Sequence, residues 1–111
     1  MPRDYKVYLE DILGASDKVR RYMTGLSFET FSNDEKTLDA VIRNLEVIGE
    51  AVKNIPEEIR SEHSDVDWQK IAGLRDILIH KYFGIDLEII WDIIQNKLPG
   101  LEKRVRQILS D

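Results

Sequence analysis

Apolar residues recur at steps of four and three along the C-terminal part of the chain, and this spacing constrains the fold more than any other feature. Such steps place side chains on one face of a helix. Because the series stays in phase across Pro99, we predict one helix that is kinked at this proline, with two separate helices as the alternative. The series consists of Leu87, Trp91, Ile94, Leu98, Leu101, Val105 and Ile108.

Two earlier stretches have the same helical spacing. In the first, apolar residues over 5–26 mostly recur three or four apart, which predicts a helix that ends near Gly25. The second follows the segment "SFETFSND", and its apolar stripe runs over 38–55. Polar residues with side-chain oxygens can cap its first turn. The candidate caps are Ser32, Asn33 and Asp34.

The remaining segments complete a helical protein. Pro56 opens a short helical turn, "PEEIRSEH", and Asp65 or Asp67 caps the next helix, "WQKIAGLRDILIH", which ends around "KYFG". Asp86 caps the last helix. Four main helices joined by short loops predict an all-α, antiparallel four-helix bundle with a short extra helix, in a single domain over residues 1–111.

Composition and charge restrict the possible functions. The chain has 111 residues, no cysteine and a formal net charge of −5. The absence of cysteine excludes disulfides, thiolate zinc sites and cysteine nucleophiles, and it fits a reducing compartment, so we expect a cytoplasmic protein. No leader and no long apolar segment is evident, and we expect no membrane partner. An acidic domain should not coat nucleic acid, so we expect no DNA partner and only local contact with RNA.

The segment "GLRDILIHKYF", residues 73–83, brings an arginine, a histidine and a tyrosine close together. Asp76 and His80 are four residues apart, so the carboxylate could hold the imidazole in one tautomer. Arg75 and His80 are five residues apart and lie about 140° apart on an intact helix, too far around it to grip one phosphate. Either the helix breaks near His80, or a second copy of the chain faces the first across a two-fold axis.

Two kinds of chemistry do not fit this segment. Metal ligation usually takes three or four ligands, and the other histidine, His63, lies in a separate polar segment without paired-ligand spacing. A Ser-His-Asp site would need a serine at a sharp strand-to-helix turn, and the sequence has no such turn. Metal-free acid–base chemistry on RNA remains, in which His80 exchanges protons with ribose and leaving oxygens while Arg75 stabilises the phosphorane. The alternative is that His80 is only a packed or helix-end residue.

The segment "RDILIHKY" resembles the R-x4-H-x-Y signature of the HEPN superfamily of small helical ribonucleases, in the branch of HepT toxins. The likeness extends through "RNLEVIGEAVKNIP" and "DWQKIAGLRDILIHKYFGIDLEIIWDII" and covers most of residues 34–109. No position of the core motif departs from the family pattern. The resemblance implies a four-helix bundle that dimerises, places two motifs in one cleft and cleaves RNA without a metal or other cofactor.

The same resemblance implies a partner and assigns residues. The expected partner is a minimal nucleotidyltransferase of the MntA type, the antitoxin of a type VII-like toxin–antitoxin pair, which neutralises the toxin by transferring AMP to the motif tyrosine. Carried over, Arg75 and His80 become the catalytic pair and Tyr82 the modification site. The alternative for Tyr82 is stacking on RNA or packing under the motif. The rival function is a catalytically silent helical dimer that only binds the nucleotidyltransferase or a nucleotide.

Three further features support the predicted site. Glu50 shares with Arg43 a face of the second long helix that is partly apolar, so it could meet the motif helix or form a surface ion pair with Arg43. Lys81 could add charge at the phosphate or remain a solvated lysine. The segment "LEIIWDII" is apolar on more than one face, which predicts packing on its own core and on another chain, and thus a homodimer.

Overall fold

The computed structural model describes residues 4–79 and 87–110, and most of these residues are helical. No strand occurs in the described ranges, which confirms the predicted all-α class. Helices of a length and apolar character sufficient to cross a membrane are absent from the described residues. The elements are α1 (Tyr5–Met23), α2 (Phe28–Ser32), α3 (Glu35–Lys53), α4 (Glu57–Glu62), α5 (Trp68–Ala72), α6 (Leu74–Ile79), α7 (Leu87–Asp92), a π-helical segment (Ile93–Lys97) and α8 (Leu98–Ser110).

Aspartates cap α3 and α5, as the sequence predicts. The Asp34 side chain accepts from the Thr37 backbone N–H at 3.0 Å and from the Thr37 hydroxyl at 2.7 Å. These two hydrogen bonds, the hydroxyl first, lower the pKa of Asp34. Asp67 caps α5 by accepting from the Lys70 backbone N–H at 3.3 Å. At its other end α1 stops just before Gly25, whose φ of 80° is a conformation that glycine adopts without strain.

The two long helices form the centre of the molecule. α1 lies along α3 and also contacts α8, while α3 carries α5 and α6. The buried side chains form one hydrophobic cluster because the predicted stripes of these helices face each other. The antiparallel four-helix order and the single-domain boundary stay predictions. The fully buried members of the cluster include Leu9, Ile12, Val19, Phe31, Val41, Leu45, Ile48, Val52, Leu78, Ile90 and Val105.

One short helix was not predicted. The second helix is predicted to begin after "SFETFSND", but the residues from Phe28 to Ser32 within that segment form α2. Ser27 and Thr30 satisfy each other's backbone N–H groups in a capping box, which stabilises so short a helix. The rings of Phe28 and Phe31 lie 5.7 and 5.8 Å from the Trp91 ring, measured between centroids. Helix α2 therefore packs against the start of the last helix.

The prediction of one uninterrupted helix over "WQKIAGLRDILIH" was wrong. The structure ends α5 at Ala72 and begins α6 at Leu74, with Gly73 as a turn between them. The Gly73 N–H donates to the Gln69 carbonyl at 3.0 Å, and the Gly73 carbonyl accepts from Asp76 and Ile77. Glycine costs about 1 kcal/mol relative to alanine inside a helix, so a break is favoured here.

The last helix runs without interruption from 87 to 110, but its irregular turn differs from the prediction. The Leu98 N–H donates to the Ile93 carbonyl, five residues back, so the departure from α-helical bonding precedes Pro99 rather than lying at it. A proline ring collides with the carbonyl four residues earlier and donates no hydrogen bond. A wider π turn just before the proline relieves that collision. The predicted cap at Asp86 lies outside the described residues.

Candidate active site

Helix α6 carries the first half of the predicted catalytic motif. Its backbone runs from Leu74 to Ile79 and thus includes Arg75. The Arg75 side chain and all of His80, Lys81 and Tyr82 lie outside the described residues. Their assignment as catalytic pair, supporting lysine and modification site therefore stays a prediction.

Two leucines anchor α6 to the protein. Leu74 and Leu78 are buried and belong to the hydrophobic cluster, and α6 packs against α3. Because these leucines are four residues apart, they hold one face of the helix against the core. Asp76 and Ile77 are exposed. One face of α6 is therefore packed on the core and another is open to solvent. Asp76, the predicted partner of His80, lies on the solvent-exposed face.

The segment before α5 is tied to α8 by a cluster that the sequence did not reveal. The Arg104 guanidinium donates to both carboxylate oxygens of Asp65, at 2.7 and 3.0 Å, and lies 3.1 Å from Nδ1 of His63. Its hydrogen bonds lower the pKa of Asp65. The Trp68 indole N–H donates to the His63 carbonyl at 3.0 Å. His63 is half-buried, and its backbone carbonyl helps to hold Trp68 at the start of α5.

Glu50 lies on the open side of α3. It is exposed and lines a groove of about 400 Å³ between α1 and α3, together with Tyr8, Asp11 and Arg43. Arg43 approaches Glu46, with 3.9 Å between Nη1 and Oε2. Since α3 also packs against α6, Glu50 stands on a helix that contacts the motif helix. Its supporting role stays a prediction.

An apolar groove of about 710 Å³ separates the motif helix from the last helix. We call it the α6 groove, and its apolar walls include Ile71, Leu74, Ile77, Ile89 and Ile93. The relative exposure of Ile77 is 36% and that of Ile89 is 47%. By contrast Ile90, the next residue, is fully buried.

The predicted two-faced character of "LEIIWDII" is therefore visible in the structure, because neighbouring isoleucines point to the core and to the groove. Ile77 was not singled out from the sequence. Its position in the motif, between Asp76 and Leu78, gave no signal that it would lie beside Ile89. The arrangement places an exposed apolar surface directly beside the helix that carries Arg75.

Histidine, aspartate and glutamate side chains do not gather in threes as a metal site would require, within the part of the chain that the structure describes. His80 is not included in this observation, because it lies outside the described residues. The expectation of metal-free chemistry stays a prediction.

Comparison with known proteins places the chain in a family. The profile described as "Ribonuclease HepT-like" matches residues 12–108. A Thermococcus cleftensis protein named "Probable ribonuclease HepT" is 41% identical over 108 residues, which cover 97% of this chain and 98% of that protein. No solved structure shows a significant match.

Two further relatives are provisionally named as RNases. One, from Caldanaerobacter subterraneus subsp. tengcongensis, is 50% identical over 103 residues, 93% of this chain and 92% of its own. The other, from Methanocaldococcus jannaschii, is 47% identical over 112 residues, 100% of this chain and 93% of its own. With nearly full coverage on both sides and a matching family profile, the chain belongs to the HepT-like ribonuclease family, as its motif predicts.

Proposed function

We propose that this ribonuclease is a metal-independent endoribonuclease and the toxin of a type VII-like toxin–antitoxin pair, acting in the cytoplasm. The observation that carries the proposal is the intact motif of Arg75, His80 and Tyr82 in a chain that belongs to the HepT-like family. A degenerate motif would instead have favoured a catalytically silent dimer.

The proposed reaction uses the nucleophile that RNA supplies. His80 removes the proton of a ribose 2′-hydroxyl, the 2′-oxygen attacks phosphorus, and the bond to the 5′-oxygen breaks. The leaving oxygen takes up a proton, so the products end in a 2′,3′-cyclic phosphate and a 5′-hydroxyl. Arg75 stabilises the charge on the phosphorane with two parallel N–H groups.

The working enzyme is proposed to be a homodimer. Of the three large hydrophobic side chains that are exposed in the described residues, Ile77 and Ile89 both line the α6 groove. Seating a second copy there would remove this apolar surface from water and bring a second motif helix near the first. In such a dimer, Arg75 of one copy and His80 of the other could contact the same phosphate, which the two residues of one intact helix could not do.

The proposed chemistry predicts cleavage in the presence of a chelator. Purified chain incubated with a mixture of cellular RNAs and excess EDTA should cut internal bonds, because no step uses a metal ion. Mass spectrometry of the fragments should find cyclic phosphate ends. Cleavage that stops in EDTA and returns with magnesium would contradict metal independence. Absence of cleavage under all conditions, with tight binding of the nucleotidyltransferase, would favour the silent dimer.

The antitoxin is proposed to silence the enzyme at Tyr82. An AMP group on this tyrosine would put a bulky anion beside Arg75 and His80, where the RNA phosphate must lie, and would compete with it by size and by charge. Incubation with the cognate nucleotidyltransferase, ATP and magnesium should therefore add whole AMP units to the intact mass and abolish cleavage.

Two variants test the assignment of the modified residue. Tyr82→Phe should gain no mass and should keep its activity in the presence of the partner and ATP. Tyr22→Phe, which changes an exposed tyrosine of α1, should be modified and silenced like the unaltered chain. If Tyr82→Phe is inhibited equally well, or if inhibition needs no ATP, the partner acts by binding alone.

A further inference from the structure

A second cavity lies on the other flank of the last helix. It has a volume of about 580 Å³, and its walls come from α1, Thr24 and residues 94–107. We call it the α1–α8 cavity. It shares only Leu98 with the α6 groove among the residues that line either one. No described residue of the motif helix lines this cavity.

The floor of the α1–α8 cavity is apolar except for one hydroxyl. Val19, Met23, Ile94 and Leu98 are all buried. Ser16 is fully buried among them, and its Oγ has no hydrogen-bond partner among the described residues. A buried hydroxyl without a partner is unfavourable. A serine in a helix can usually donate to the backbone carbonyl one turn earlier, but Ser16 does not. The Ser16 Oγ lies beneath the cavity surface, so the floor that a ligand meets is apolar.

The rim of the cavity is basic although the chain as a whole is acidic. Arg20, Lys103 and Arg106 line it with one carboxylate, Glu102, so three cations and one anion leave a surplus of two positive charges. This differs in sign from the formal net charge of −5 of the chain. An anionic ligand would find a favourable field here and an unfavourable one over most of the surface.

The buried carboxylate organises this rim. The Glu102 side chain is 8% exposed, and its Oε1 accepts from Nη1 of Arg20 and from Nη2 of Arg106, the latter at 2.9 Å. Arg20 also donates to Asp17, which holds it in place. Arg106 and Lys103 contact fewer carboxylates among the described residues than Arg20, which contacts two. Among the described contacts Arg106 uses one nitrogen and Lys103 forms no ion pair, so both can donate to a ligand.

We propose that the α1–α8 cavity binds a nucleoside phosphate, with its phosphate on Arg106 and Lys103 and its base and ribose over the apolar floor. The volume is within the range of small-ligand sites, about 300–1,000 Å³. A planar guanidinium beside an ammonium suits phosphate oxygens. The ligand is a free mononucleotide or one nucleotide of an RNA chain.

Calorimetric titration with several probes tests the proposal. The probes are 5′-AMP, adenosine, inorganic phosphate and a 2′-O-methyl oligoribonucleotide, which cannot be cleaved because its 2′-hydroxyls are blocked. Binding is thus measured whether or not the chain is a ribonuclease. Saturable binding of AMP identifies a free nucleotide as ligand, and binding of the oligonucleotide alone identifies an RNA chain. Inorganic phosphate binding as tightly as AMP would overturn the nucleoside assignment, as would the absence of binding by AMP and oligonucleotide alike.

Matched variants locate the binding. Arg106→Gln combined with Lys103→Gln should weaken binding at least about tenfold, because two charge-assisted contacts are lost, and should flatten the salt dependence of oligonucleotide binding. Lys36→Gln combined with Lys53→Gln removes the same charge from exposed positions of α3 and should leave affinity unchanged. Equal losses in both double variants would mean that only overall charge matters, and the site would be rejected.

Discussion

His80→Ala should reduce RNA cleavage by roughly 10²–10⁴-fold, the usual contribution of a general acid or base, while helicity and melting temperature change little. The reason is that the imidazole is proposed to move protons rather than to fill the core. The core beneath the motif is held by Leu74 and Leu78, which the substitution leaves intact. Cleavage of labelled RNA and circular dichroism on the same samples measure both effects.

Two companion variants make this result specific. Arg75→Lys should also be damaging, because a point charge cannot replace the paired N–H groups of a guanidinium at a phosphate. His63→Gln changes the other histidine, whose side chain contacts Arg104, and should keep cleavage even if it lowers stability. If His80→Ala unfolds the protein instead, His80 is a packing residue and the catalytic assignment is wrong.

Ile77→Glu combined with Ile89→Glu should convert the enzyme from a dimer to an inactive monomer. The unaltered chain should sediment at about twice its mass of 13.0 kDa, and the double variant at about that mass. Each glutamate would bring a charge into an apolar contact, and a two-fold axis would repeat it in the second copy. Because both isoleucines are partly exposed in the single chain, the monomer itself should remain folded.

Tyr22→Glu provides the control for this pair. Tyr22 is 40% exposed on α1 and lies outside the walls of the α6 groove, so its substitution should preserve both mass and cleavage. Fully active monomers of the unaltered chain would show that neither the dimer nor the gathering of two motifs is needed. Retained dimerisation by Ile77→Glu with Ile89→Glu would place the interface elsewhere.

The helices and most of the core followed from short-range patterns. Leu45, Ile48 and Val52 are buried as their spacing predicts, because a helix presents residues three and four apart on one face whatever surrounds it. Asp34 and Asp67 were among the predicted caps for the same kind of reason, since capping needs only neighbouring N–H groups. The motif of Arg75, His80 and Tyr82 was also legible, because it is a local signature.

The fold predictions failed where alternative backbone conformations are close in energy. The break at Gly73, the helix α2 and the π turn before Pro99 each depend on small differences between nearly equal backbone states. Such differences are settled by what packs nearby, as when Trp91 meets the rings of α2. Apolar spacing alone does not include those partners.

By itself the sequence determined the helical class, the apolar stripes and the chemical identity of the motif, since each depends on residues within a few turns of one another. Only the tertiary structure decided which distant residues meet. Arg20 reaches Glu102 across 82 positions, and Ile77 comes to line one groove with Ile89. These contacts depend on how whole helices pack, and a difference of one helical turn in that packing would separate them.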